Sequence, residues 1–308
     1  MNENIATPPF PLAGEIASLG AAMIWACSLT LFTYFGKGIP AHTLNLFKNI
    51  IAVICLTGSI MIFQPQLPPD SYYWWTLGLS GVIGLSIGDT ALFGALKRLG
   101  AQFTSVSQCI VPPMAAMVAF LWMGESLSFW ETSGMLCATS AVAFILFFSR
   151  KDGTLVSKLR PGVLWSGLLM ALIAAFSQTA AVVLIRENMQ NVDVLIGTLA
   201  RTAPAMCILF LPAIMNKKSS SKLKILLKDR KKLIGLTTAA FFGTFIGLLL
   251  MSTGAKYTKA GVTTALTATY PVWIIPLSAI FLKEKITFIK IFFTIMAVGG
   301  IGIMVYGN

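Results

Sequence analysis

Long apolar runs, separated by short polar connections, make up most of the chain. Each run is about twenty residues long, the length that an α-helix needs to cross a hydrocarbon core of roughly 30 Å. The pattern predicts ten membrane-spanning helices, at about 13–35, 42–63, 74–96, 100–122, 129–149, 162–185, 193–214, 233–252, 259–282 and 287–306. We therefore expect an all-α integral membrane protein.

The sequence also contains an internal repeat. A shift of 159 residues overlays the third and fourth predicted helices on the eighth and ninth without a gap. The matched positions are Gly84, Gly88, Lys97, Ala101, Thr104, Pro112 and Glu125 with Gly243, Gly247, Lys256, Ala260, Thr263, Pro271 and Glu284, in that order. Two units of five helices follow, at 13–149 and 162–306. Because five is odd, the second unit must enter the membrane in the opposite orientation, and such inverted repeats place a substrate site between the halves.

Composition supports the membrane assignment and excludes a soluble domain. Apolar residues make up 56% of the chain and charged residues only 11%, against roughly one quarter charged in soluble domains. So few charges cannot cover the surface of a soluble fold of this length.

Patterns that bind metals or cofactors are lacking in the sequence. His42 is the only histidine, and the five cysteines fall inside apolar runs without a CxxC spacing. This argues against a metal site or a histidine-based charge relay. No GxxxxGK[ST] motif for ATP occurs either, so we expect no cofactor, and transport that draws on a solute or ion gradient.

The net charge of +12 comes from cations in the short loops, where positive charge sets membrane orientation. Loops after the odd-numbered helices hold nearly all of these cations, including a lysine-rich loop at 216–232 that would contact anionic headgroups. This distribution predicts a protein of the cell membrane with both termini outside. No separate basic domain with interleaved aromatic residues is present, so we do not expect nucleic acid as a partner.

Three ionisable residues lie about two turns inside predicted helices, where charges are costly and mark functional sites by default. Asp89 has three possible roles: proton coupling, binding of a substrate amine, or a structural pair with a cation. Lys48 and Arg201 are candidates to bind a substrate carboxylate or phosphate, or to neutralise carboxylates of the protein. Because both lie about two turns inside their helices, extension of the side chain to the interface is the alternative.

Four uncharged residues complete the candidate substrate site. Gln108 and Gln178 are neutral hydrogen-bonding groups in the fourth and sixth helices, and Tyr270 lies just before the proline of the ninth. Trp25 and Trp273, also within helices, would stack on a flat or cationic substrate. For both indoles the alternative is packing in the bundle, with the N–H bonded to a neighbouring helix.

Prolines, glycines and glutamates at repeated positions suggest structural roles. Pro112 and Pro271 each remove a backbone donor within a helix and predict a kink. The pairs Gly84/Gly88 and Gly243/Gly247 place two small residues on one helix face and predict close helix packing, with room for substrate as the alternative. The carboxylates Glu125 and Glu284 end the fourth and ninth helices, and we expect each to cap the helix that follows.

The paired segments from Gly100 to Ser128 and from Lys259 to Thr287 resemble the EamA family of the drug/metabolite transporter superfamily. The resemblance rests on Pro112, Pro271, Glu125 and Glu284, with the apolar run and the Leu-Ser or Ile-Thr that complete each repeat. The positions of Lys48 and Arg201 look like the cation that this family carries early in its second and seventh helices. Two departures stand out: the family often has Arg in place of Lys48, and its members are commonly drawn with both termini inside.

The resemblance implies ten helices, a central cavity between inverted halves, and alternating access. It also implies solutes such as amino acids, their derivatives or other small metabolites, commonly exported. We therefore expect a secondary transporter, with a small-molecule substrate, membrane lipids and a coupled proton or ion as its partners. A membrane-embedded lipid-modifying enzyme and a non-transporting sensor are the alternatives, and the scarcity of acids and histidines argues against an enzyme.

Overall fold

The computed structural model of the protein describes residues 10–68, 70–123, 128–149, 159–186, 188–215, 229–257, 263 and 266–306. These residues form ten main helices, a short 3-10 helix at Met189–Asn191 and no strand. We number them α1 (Ala13–Phe35), α2 (Ala41–Phe63), α3 (Ser71–Leu99), α4 (Ala101–Ser107, Gln108–Ile110 and Val111–Met123 in succession), α5 (Phe129–Ser149), α6 (Pro161–Arg186), α7 (Val194–Met215), α8 (Arg230–Tyr257), α9 (Tyr270–Leu282) and α10 (Phe288–Tyr306).

Within the described ranges, six helices are long and apolar enough to cross a membrane by themselves: α1, α2, α3, α6, α7 and α8. Large apolar side chains such as Ile54, Leu169 and Phe292 point outward, whereas small or polar residues fill many interior positions. This distribution suits a lipid environment, in which the outer surface needs no charge and polar groups must be satisfied internally. The prediction of an all-helical, multi-pass membrane protein is confirmed.

Two helices contain a wider π-helical segment at repeat-related positions, Val82–Gly88 in α3 and Phe241–Ile246 in α8. The repeated glycines lie in or beside these segments and allow other helices to approach closely. A Cβ on Gly84 would lie 2.7 Å from Ala181, and one on Gly88 would lie 2.9 Å from Ser177, both in α6. The predicted role in close helix packing is therefore confirmed for the first pair.

Repeat-related parts of the two halves contact each other directly. The Cys109 thiol donates to the carbonyl of Ala268 at 3.8 Å, and the Cys137 thiol donates to the carbonyl of Met296 at 3.6 Å. In each pair the two residues are separated by 159 positions, the same shift that relates the repeats. Helix α5 packs along α10, and α2 packs along α7. Equivalent helices of the two halves thus meet face to face.

The helices around the repeated prolines are interrupted just before each proline. In α4 a short 3-10 segment, Gln108–Ile110, precedes Pro112. Helix α9 begins anew at Tyr270, with Pro271 in its first turn, where the missing N–H costs nothing. The predicted kinks therefore take the form of a 3-10 segment within α4 and of a new helix start at α9.

The Glu284 carboxylate caps a different helix from the one that we expected. Its two oxygens accept hydrogen bonds from the backbone N–H groups of Ala101, at 3.0 Å, and Gln102, at 3.3 Å. It therefore caps α4 in the other half and not the following α10. The first N–H groups of a helix lack internal acceptors, and a negative charge there is favourable. Glu125, most of the basic loop and both chain termini lie outside the described residues.

We predict that Gly81→Ala destabilises the protein. A Cβ at Gly81 would collide with the backbone of Arg201 in α7, which cannot move aside as a flexible side chain can. Overpacking of this kind costs about 1–3 kcal/mol of unfolding free energy. The measurement is the melting temperature of the purified protein. Gly58→Ala is the matched control, since nothing lies within 4 Å of that added Cβ, and equal melting temperatures for the two variants would contradict the prediction.

Candidate functional site

A cavity of about 190 Å³ lies between the two halves of the bundle. Helices α1 to α4 and α6 to α9 all contribute to its walls, together with the segment that precedes α9. Seven of the predicted site residues line it: Trp25, Lys48, Asp89, Gln108, Gln178, Arg201 and Tyr270. Most of the remaining wall is apolar. The cavity thus combines a few charged and amide groups with a largely hydrocarbon lining.

Trp273 is the one predicted site residue that the structure does not place among the described residues of this wall. It lies one turn after Tyr270 in α9, and 37% of its surface is exposed. The wall contributed by this helix ends at Tyr270.

Lys48 and Asp89 form an ion pair inside the bundle, with 2.5 Å between the Lys48 Nζ and the Asp89 Oδ2. Each residue is only 7% exposed, so Lys48 does not extend to the interface. Gln178 donates to the other carboxylate oxygen, Oδ1, at 3.0 Å. The Lys48 ammonium also lies 5.9 Å from the ring centre of Phe93. Of the three roles open to Asp89, the structure shows the pair with a cation.

The π-helical segment of α3 and Asn45 of α2 set the position of this ion pair. The Asn45 amide donates to the carbonyls of Leu85, at 2.8 Å, and Ser86, at 3.0 Å. Asn45 lies one helical turn before Lys48, and Asp89 follows the π segment directly. Because the Asn45 amide holds α2 against this part of α3, the Lys48 ammonium and the Asp89 carboxylate come within hydrogen-bonding distance.

Arg201 is the most deeply buried cation of the cavity, with 2% of its surface exposed. Its Nε donates to the Ser80 hydroxyl at 3.1 Å. Its Nη1 is buried and has no hydrogen-bond partner among the described residues. Arg201 makes no ion pair with a described carboxylate either. The guanidinium is therefore held at one nitrogen and has unused donor capacity at the cavity wall.

The uncharged candidates make contacts of their own across the bundle. The Trp25 indole N–H donates to the carbonyl of Gly243 in the π segment of α8, at 3.0 Å. Gln108 donates from its Nε2 to the carbonyl of Ala171 at 3.2 Å, and the residue lines the cavity. The indole of Trp25 is thus bonded within the bundle and also forms part of the cavity wall.

Sequence reasoning missed Asn45 and Ser80, which position the two cations of the cavity. Both are polar residues inside apolar runs, and Asn45 precedes Lys48 by one turn on the same helix face. That spacing was a usable signal for Asn45. No comparable pattern connects Ser80 to Arg201, because the two residues are 121 positions apart.

We predict strong coupling between Lys48 and Asp89 in a double-mutant cycle. Lys48→Met and Asp89→Leu each leave one buried charge without its partner, and each should lower the unfolding free energy by about 3–5 kcal/mol. The double variant removes both charges and should recover most of that loss. Melting temperatures of the four proteins test this. Additive losses in the double variant would show that the ion pair does not stabilise the bundle.

Comparison with known proteins identifies the family. The sequence profile of the EamA-like transporter family matches residues 12–147 and again residues 165–306. An uncharacterized transporter of Archaeoglobus fulgidus is 24% identical over 274 residues, which cover 89% of this chain and 91% of that protein. A solved crystal structure has the same fold, with a TM-score of 0.70, 15% sequence identity and coverage of 94% of this chain and 95% of that one.

These matches favour a transporter over an enzyme, since both the family and the relative are described as transporters. The expectation drawn from the paired proline and glutamate segments is confirmed, because the family profile covers both halves of the chain. The protein belongs to the EamA-like transporter family, within the drug/metabolite transporter superfamily.

Proposed function

We propose that the protein is a secondary transporter that moves small metabolites through the central cavity by alternating access. The observation that carries the proposal is a cavity, lined by both halves, that contains a buried ion pair and a second buried cation. Such groups are costly inside a membrane protein and mark solute or ion pathways. The solutes proposed are amino acids or their derivatives, exported across the cell membrane.

The proposed architecture is ten membrane-spanning helices in two inverted halves, 13–149 and 162–306. The contacts of Cys109 with Ala268 and of Cys137 with Met296 support it, since repeat-related residues meet in this way only near a two-fold axis. Five helices in each half would turn the second half over in the membrane. Loop charges place both termini outside the cell in this scheme.

Alternating access requires the two halves to move relative to each other around a fixed site. The contact between Glu284 and the start of α4 joins the two halves at one end of the bundle. Motion of one half against the other would break this contact and expose the cavity at that end. We propose that the helices bend at the 3-10 segment before Pro112 and at the helix start before Pro271.

The proposed substrate contacts are the seven predicted residues that line the cavity. Asp89 is our candidate for coupling to a proton or ion. Protonation of its carboxylate would weaken the bond to Lys48 and release the ammonium into the cavity, so the charge seen by a solute would change with the occupancy of Asp89.

We predict that a bulky residue in the cavity blocks transport. Val182→Trp fills space at the α6 wall and should lower the initial rate of flux by about fivefold to 150-fold, because a clash with bound solute costs about 1–3 kcal/mol. The measurement is efflux from proteoliposomes loaded with proteinogenic amino acids, their N-acetyl derivatives and the matching 2-oxo acids, followed by mass spectrometry.

The matched control is Phe176→Trp on the same helix, because Phe176 is 62% exposed on the outer surface. This variant should transport at the rate of the unaltered protein. If Val182→Trp and Phe176→Trp release the same solutes equally fast, the cavity is not the transport path. If the unaltered protein releases none of these solutes faster than empty liposomes, the proposed function is wrong for this range of substrates.

A further inference from the structure

The charges that line the cavity do not cancel. Lys48 and Arg201 supply two cations, and Asp89 is the one carboxylate among the described residues of the wall. Asp89 is committed to Lys48 by their ion pair. Asp89 also attracts the Arg201 guanidinium from a distance, but Arg201 makes no ion pair with a described residue. The two cations therefore share one carboxylate, and the described wall keeps a net positive charge. A buried charge without an ion-pair partner is costly, so an anion that enters the cavity gains strongly by binding there.

Arg201 has the geometry to bind such an anion. Its Nε is fixed by the Ser80 hydroxyl, and its buried Nη1 has no hydrogen-bond partner among the described residues. A guanidinium is a planar fork whose N–H groups match the two oxygens of a carboxylate. With one edge held by the protein, the unused donors are pre-oriented for a ligand, which reduces the entropy lost on binding.

Asp89 is poorly placed to bind an ammonium group of the same solute. Its Oδ2 accepts from Lys48, and its Oδ1 accepts from Gln178 at 3.0 Å. Both oxygens already have a donor, and no other described residue of the wall is a carboxylate. A free amino acid would therefore bring a positive charge into a cavity that already carries an excess of positive charge.

The apolar part of the cavity wall determines which solute body the cavity favours. Phe32, Leu85, Phe93 and Leu248 are among the apolar side chains that line the cavity. A wall of this kind favours a solute with a hydrocarbon body and penalises a small, strongly hydrated ion such as phosphate.

We infer that the cavity selects organic monocarboxylates with an apolar body and no free amine, and that the Arg201 guanidinium binds their carboxylate. N-acyl amino acids and 2-oxo acids with apolar side chains have this chemistry. The inference rests on the proposed function, because it names the solute class of the same cavity.

Three compounds with one side chain test the inference on the unaltered protein. N-acetylleucine is a monoanion, leucine is a zwitterion, and N-acetylleucinamide is neutral. Calorimetric titration of the purified protein should show N-acetylleucine binding about tenfold to a hundredfold more tightly than the other two, the range expected for a hydrogen-bonded charge. The matching phenylalanine series should show the same order. Equal or tighter binding of leucine or the amide, or no binding of the monoanion in either series, would overturn the inference.

Arg201→Gln should remove the preference for the monoanion over the amide, whereas Arg201→Lys should keep part of it. A loss of stability alone would weaken all three compounds together and would not change their ratio. If Arg201→Gln does not fold, the panel on the unaltered protein still decides the matter. Retention of the full preference in a folded Arg201→Gln protein would show that another group binds the carboxylate.

Inorganic phosphate and chloride are the remaining arms of the titration. Binding of these ions without binding of N-acetylleucine would mean that Arg201 holds a small inorganic anion only, which overturns the inference.

Measurements of flux distinguish a failure of this inference from a failure of the proposed function. If N-acetylleucine binds with the expected preference but does not cross proteoliposomes, transport is wrong and the solute class stands. If leucine crosses as fast as N-acetylleucine, transport stands and the solute class is wrong.

Discussion

A charge inside a membrane protein needs a partner that the protein itself supplies, and Lys48 finds that partner on the neighbouring helix. The pair with Asp89 depends on two prior conditions. The π segment of α3 presents carbonyls to α2, and the Asn45 amide donates hydrogen bonds to two of them. These bonds fix the position of α2 along the axis of α3. Gln178 of α6, in the opposite half, donates a hydrogen bond to the second oxygen of the Asp89 carboxylate. One ionic contact thus ties together three helices and both halves of the chain.

The same constraint explains why small residues occupy the places where helices cross. Lipid provides little drive to press helices together, so close backbone contact and interhelical hydrogen bonds must hold the bundle. Gly81 brings the backbone of α3 against Arg201, and the Ser80 hydroxyl beside it orients the guanidinium. Packing and the cavity are therefore not separate parts of this protein. The residue that allows close approach is the neighbour of the residue that positions a charge.

Much of this was predictable from the sequence, and the failures have identifiable causes. Apolar length set the helix boundaries to within a few residues for most helices, because hydrocarbon thickness fixes that length. Asp89, Lys48 and Arg201 stood out because charges are rare in apolar runs. The sequence did not predict how these residues pair. Lys48 and Asp89 are 41 positions apart, and their contact depends on a π segment that no local sequence pattern predicts. From the sequence we expected Glu284 to cap the helix that follows it. Its carboxylate instead accepts from the N–H of Ala101, which lies 183 positions away and begins α4.

The contacts between repeat-related residues have a consequence for how such a chain can change. Consider a homodimer of two identical five-helix chains related by a two-fold axis. In such a dimer each residue near the axis would contact the same residue of the other chain. Every such position would need a side chain complementary to its own duplicate. Joined in one chain, the two copies are free to differ, and here a thiol at one position faces an alanine carbonyl at the other. Covalent fusion thus permits an asymmetric bundle, with an ion pair in one half and, in the other, the Arg201 guanidinium, which makes no ion pair with a described residue.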